Sequence, residues 1–167
     1  RPCPISVRDA PHSGGGATRF RFENGEVFDW SMTIEGSREF LLRDVIPHEV
    51  DHAVRASLVR HPIERWLDEG CASLFESEDV KLGLRETARK ARAELITEQW
   101  LSQLDYPENS TDLEALYAVG FSLVEYLLSL DDASTLLEFQ RSESSIESRL
   151  LSLYGVTISE FRGNWDQ

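Results

Sequence analysis

The chain is poor in several things, and each shortage excludes a class of reading. It has two cysteines, Cys3 and Cys71, and no CxxC pair, so neither a zinc ribbon nor a dithiol redox motif is present. The two sulfurs would pair only in an exported protein; two free thiols are the expectation. Positive charge is scarce: 17 lysines and arginines face 30 acidic residues, for a net charge of −13 over 167 residues. A surface of that sign repels phosphate backbones and anionic lipid, which argues against nucleic acid and membrane-surface partners. Repeats and low-complexity segments are missing. No apolar run approaches the roughly 18–20 residues that span a bilayer. The longest candidate, LYAVGFSLVEYLLSL, carries Glu125 and reads as a buried helix, so no membrane insertion is expected.

What is present falls into two parts, a β-rich lobe over 1–37 and a helical lobe over 38–167, expected to form one domain. ISVRD alternates like a short strand, and HSGGGA reads as a flexible turn. TRFRFENGEVFDW has phenylalanines at period two around Asn24-Gly25, a strong hairpin signal. SMTIEG reads as a further strand ended by Gly36. From about residue 38 the period becomes helical. Residues 44–60 place Ile46, Val50, Ala53, Val54, Ser57 and Leu58 on one apolar side, with Asp44 as N-cap and Pro47 in the first turn, where a missing amide costs little. Further helices are expected over 63–78, along LRETARKARAELITEQWLSQL, from a cap at Asp112, from Asp131 or Asp132, over 143–153, and over 158–165 behind Thr157. Sheet first and helices after predicts an α+β class with a small antiparallel N-terminal sheet.

One short stretch carries chemistry. VIPHEVDHAV contains HExxH. Positions i and i+4 lie on one helix face, so His48 and His52 can aim both imidazoles at one ion. Glu49 is offset so that its carboxylate lies beside a water at the metal rather than on the metal. A catalytic zinc takes three protein ligands and keeps one position open. RWLDEGCASLFE, after the turn at Pro62, supplies the third: Glu69 follows His52 by 17 positions. Asp68 is the adjacent alternative, but Glu69 follows the inward side better, and Gly70 permits close packing. His12, in the glycine-rich loop, and His61, at a helix end, read as surface residues. So does Asp51, and so does the Arg85–Arg92 basic cluster.

HExxH followed by WLDEGCAS resembles the gluzincin metallopeptidases, and in particular the segment that carries the third ligand in gluzincin-type aminopeptidases and bacterial peptidase-MA-like proteins. LYAVGFSLVEYLL resembles the helix whose tyrosine stabilises the oxyanion, which puts that role on Tyr117. YGVTISEFRGNW resembles the closing helix of peptidase-MA-like domains. The likeness covers about residues 40–167. It implies a zincin-like fold, a zinc ion on His48, His52 and Glu69, Glu49 as general base, and a peptide or protein substrate. The chain departs from the aminopeptidases where they carry G-x-M-E-N: it has WSMTIEG, so Glu35 does not transfer that specificity. Where some relatives have an acid four residues after the third ligand, it has Ser73, whose hydroxyl can still bond a ligand histidine. The segment FDWSMTIEG is a candidate edge strand for an extended substrate. The rival reading is a peptidase-like binding module that keeps the zinc and not the turnover. A purely structural zinc is weaker, since such sites are usually cysteine-rich with four protein ligands.

Overall fold

A computed structural model describes residues 3–10, 14–91 and 95–165. The class is α+β: a three-stranded sheet at the N-terminal end, followed by helices. The strands are β1 (Ile5–Asp9), β2 (Gly15–Glu23) and β3 (Glu26–Gly36), in the order β1-β3-β2. Asn24 and Gly25 have φ of 51° and 72°, and Glu23 faces Glu26 across them. This is the two-residue turn the Asn-Gly pair announced.

Four strand expectations are corrected. The sheet is mixed, because β1 runs parallel to β3, with Ile5 opposite Met32 and Asp9 opposite Gly36; parallel pairing has no turn between its partners to betray it. SMTIEG is not a separate strand: β3 is continuous, and the irregularity is absorbed by a register shift between Arg19 and Arg21 and by Asp29 at φ 57°. Gly15, Gly16 and Ala17 belong to β2 rather than to a turn, while His12 and Ser13 lie outside the described residues. FDWSMTIEG lies in the middle of the sheet, not at its edge; β1 and β2 are the two edge strands among the described residues.

The chain divides into two compact units, Arg1–Pro62 with Ala72–Lys81, and Ile63–Cys71 with Leu82–Gln167. In the first, Met32 and Ile34 of β3 pack with Leu41 and Val45 around one buried cluster. Ser37 opens the helical part by capping α1 (Arg38–Phe40), accepting the Phe40 amide at 3.3 Å. A π turn, Leu41–Val45, then leads into α2 (Ile46–Val59), with Pro47 in its first turn as expected. Asp44 is therefore no N-cap. It lies buried in the π turn, accepting the Ser77 amide at 2.8 Å and pairing with Arg43 at 2.8 Å. Burial pushes its carboxyl up, but the Ser77 and Arg43 bonds outweigh that and hold it below the usual carboxylate value.

The apolar side expected for α2 faces outward. Val50, Val54 and Leu58 are 44%, 52% and 46% exposed, whereas His48, Glu49, His52 and Arg55 are buried. Periodicity assigns the inward face to apolar residues; here Ala56 and Val59 share the inward face with four ionisable groups that have partners. Asp51 does not point to solvent, since it forms an i,i+4 ion pair with buried Arg55.

The remaining helices are α3 (Arg65–Ser73), α4 (Glu78–Ala88), α5 (Glu98–Leu101), α6 (Ser110–Leu130), α7 (Ala133–Arg141), α8 (Ile146–Arg149), which continues as a π turn over Leu150–Tyr154, and α9 (Ile158–Trp165). Two expected helices are broken. The 63–78 helix stops at Ser73, and the long 84–104 helix is interrupted because Thr97 caps a new turn through the Trp100 amide; residues 92–94, inside it, lie outside the described residues. Asn109, not Asp112, caps α6, while Asp132 caps α7 and Thr157 accepts from the Glu160 amide, as read from sequence.

By length and composition α6 is apolar enough to cross a membrane. In the second unit it is the core helix: Leu116, Phe121, Leu123 and Leu127 are fully buried. Its Glu125 takes a bidentate bond from Arg85 at 3.0 and 2.6 Å, so Arg85 is tied down rather than solvated. Arg92, the other end of the basic cluster, is outside the described residues. Gly70 of α3 and Gly120 of α6 meet backbone to backbone; a Cβ at either would overlap the other helix. Trp165 of α9 donates its indole N–H to Ser122 at 3.0 Å. Both cysteines are free thiols.

Candidate active site

In the first unit, α2 presents His48, Glu49 and His52 on its buried face. The Nε2 atoms of the two histidines stand 3.1 Å apart. The other ring nitrogen of His48, Nδ1, lies 2.6 Å from Oε1 of Glu76. A carboxylate there fixes the tautomer: Nδ1 carries the proton, and Nε2 turns a lone pair toward His52. Two ring nitrogens this close need a proton or a cation between them. Nitrogens each about 2.0–2.1 Å from one zinc ion would be roughly 3.3 Å apart at the tetrahedral angle. The observed pair is close to that spacing, so the two imidazoles could share a metal ion.

Glu49 is anchored by the sheet. Thr18 of β2 donates its hydroxyl to Oε2 at 2.7 Å, within reach of the Glu49 carbonyl at 3.1 Å. Gly16, two residues earlier, has no side chain, and a Cβ there would overlap the Glu49 carboxylate. The edge strand thus both makes room for the acid and holds one of its oxygens.

Thr18 and Glu76 were not read from the sequence. Neither lies in the HExxH pattern, and the threonine reaches Glu49 only through the sheet. Ser73 was expected to support a histidine and does not: it is fully buried, and its hydroxyl has no hydrogen-bond partner among the described residues. Glu76, three residues on, does that work. Glu35 is occupied by Arg8 at 3.3 Å across the β1–β3 pair.

In the second unit, Glu69 sits on α3 and is 1% exposed. Its Oε1 accepts the hydroxyl of Tyr106. Asp68, the alternative third ligand, is paired with Arg65 at 3.2 Å. The Tyr106 hydroxyl is pushed well above the ordinary tyrosine value by burial, then by the charge and hydrogen bond of Glu69, with a further contribution from nearby Tyr117. It is therefore a proton donor at any ordinary pH. Tyr117 is half-buried on α6 in that neighbourhood. Tyr106 was also missed in the sequence, because it lies outside the HExxH and WLDEGCAS segments. His61 bonds the Pro62 carbonyl region at 2.9 Å at the end of α2, and His12 is outside the described residues.

No family model, no curated protein and no solved structure matches this chain.

Proposed function

We propose that this chain hydrolyses peptide bonds, with a zinc ion held by His48, His52 and Glu69 and with Glu49 as general base. Two imidazoles and one carboxylate, each offering one donor atom, make the set of a catalytic zinc rather than a structural one. The observation that carries the reading is the 3.1 Å approach of the His48 and His52 Nε2 atoms beside an anchored Glu49. When bound, zinc supplies Lewis acidity, which acidifies water and polarises a carbonyl.

The rest is work for the chain's own residues. Glu76 holds the proton of His48 on Nδ1. Glu49, oriented by Thr18, takes a proton from the attacking water and delivers it to the leaving amine. Tyr117 is the donor assigned to the oxygen that becomes negative as water adds to the carbonyl. The open side of β2, which carries Thr18, suits an extended peptide lying alongside. The acidic surface suits peptide or protein substrates and not nucleic acid or anionic membrane.

The test is a broad peptide library exposed to the protein as purified, after chelator treatment, and after zinc is restored. Cleavage that disappears with the metal and returns with it is the expected result. Zinc-loaded protein that cuts no peptide would favour the binding module.

A further inference from the structure

Tyr106 lies outside every motif in the sequence, yet the loop that carries it is fastened to α3 at several points. The Arg65 amide, at the start of α3, donates to the Gln103 carbonyl at 2.9 Å. The Arg65 side chain donates from Nε to the Leu104 carbonyl at 2.8 Å, and its guanidinium lies 4.4 Å from the centre of the Tyr106 ring. Trp66, the next residue, donates its indole N–H to the Leu101 carbonyl at 2.8 Å. Pro107 disfavours the helical region for Tyr106 and keeps the chain extended there. Arg65 is one helical turn before Glu69, so the side chain that grips the loop and the acid that meets the tyrosine share a helix face. All of this delivers one atom, the Tyr106 hydroxyl, to Oε1 of a carboxylate that is otherwise shut from solvent.

We propose that Tyr106 is a positioning residue for the third ligand: by holding one oxygen of Glu69 it leaves the ligand role to the other and makes this carboxylate a one-oxygen donor. The inference rests on the ligand role of Glu69 proposed above. The chemistry is that of a hydrogen-bonded ligand carboxylate, whose outer partner sets both its orientation and its denticity. A carboxylate released from that partner can turn both oxygens to the metal, filling the position a catalytic site keeps open.

The test measures zinc binding, not turnover. Zinc affinity is determined by competition with a chromophoric chelator for the parent, Tyr106→Phe and Glu69→Ala, and the oxygen shell of each zinc-loaded protein is read by X-ray absorption. Tyr106→Phe keeps the ring and its stacking on Arg65. It is expected to weaken zinc binding by about 10- to 100-fold and to add a second oxygen to the shell. Arg65→Gln, which loosens the loop but keeps the hydroxyl, is expected to fall between parent and Tyr106→Phe. A Tyr106→Phe protein with parental affinity and parental oxygen shell overturns the proposal, even if its melting temperature drops, because a merely structural hydroxyl would do only that. A parent that binds no zinc, or Glu69→Ala that binds as tightly as the parent, instead overturns the ligand assignment beneath it.

Discussion

At the scale of single residues, each group proposed for the chemistry has one atom held by a partner within its own unit. His48 is held by Glu76, Glu49 by Thr18 and Glu69 by Tyr106. Removing the carboxylate charge behind His48 by Glu76→Gln should weaken zinc binding by roughly 10- to 100-fold while leaving the ligands intact, as checked by chelator competition. Thr18→Val keeps the shape of the side chain and takes the donor from a buried carboxylate. It should lower stability by about 1–3 kcal/mol, read from denaturant unfolding. An unchanged midpoint would mean that the Thr18 bond contributes nothing net. That His48, Glu49 and His52 share one face of a helix was legible in the sequence because HExxH is local, with its geometry written into helical spacing. The three partners were not, because each reaches its acid or imidazole from a different part of the chain, at separations of 28 to 37 residues.

At the scale of elements, two joints carry the arrangement. In the second unit, α3 and α6 touch through Gly70 and Gly120, so there is no room for a methyl group. Gly70→Ala must push backbone, not a flexible side chain, and should destabilise by about 1–3 kcal/mol or more, measured by chemical denaturation. In the first unit, the π turn before α2 is braced by Asp44, whose folded carboxyl stays more acidic than in the unfolded chain. A depressed folded value means that the stabilisation is complete above the ordinary carboxylate pKa of about 4 and is lost as pH falls below it. Acid unfolding of Asp44→Asn should therefore show a shallower loss of stability below about pH 4 than the parent. A parallel acid limb would contradict that role.

Element types were mostly readable, while element phases were not. The Asn-Gly hairpin and the caps at Asp132 and Thr157 follow from local backbone chemistry, which sequence encodes directly. The face of α2 was read the wrong way round, because Val50, Val54 and Leu58 lie outside and the histidines inside. A pattern rule assumes that burial is driven by hydrophobicity, and a helix that carries a site breaks that assumption. The parallel pairing of β1 was hidden for a different reason: its partner lies more than twenty residues away, with no turn to link them.

At the scale of the whole molecule, the charge of −13 is the dominant global property. Like charges repel one another in the compact state, and salt screens them over about 10 Å at 0.1 M. The melting temperature should accordingly rise as sodium chloride goes from about 10 mM to about 200 mM. The α+β class followed from the order of periodicities along the chain, whereas the grouping of α2 with the sheet, in one compact unit, did not. That grouping puts Thr18 and Gly16 against Glu49 and so matters more to the chemistry than the class does.

The central claim, that His48, His52 and Glu69 hold zinc for hydrolysis by Glu49, is tested most directly by Glu49→Gln. Zinc content and peptide hydrolysis are measured together on this variant and on the parent. The expected result is about one zinc per chain in both, with cleavage in the parent and none in the variant. A parent that takes up no zinc on reconstitution, or a Glu49→Gln protein that cleaves as fast as the parent, would contradict it.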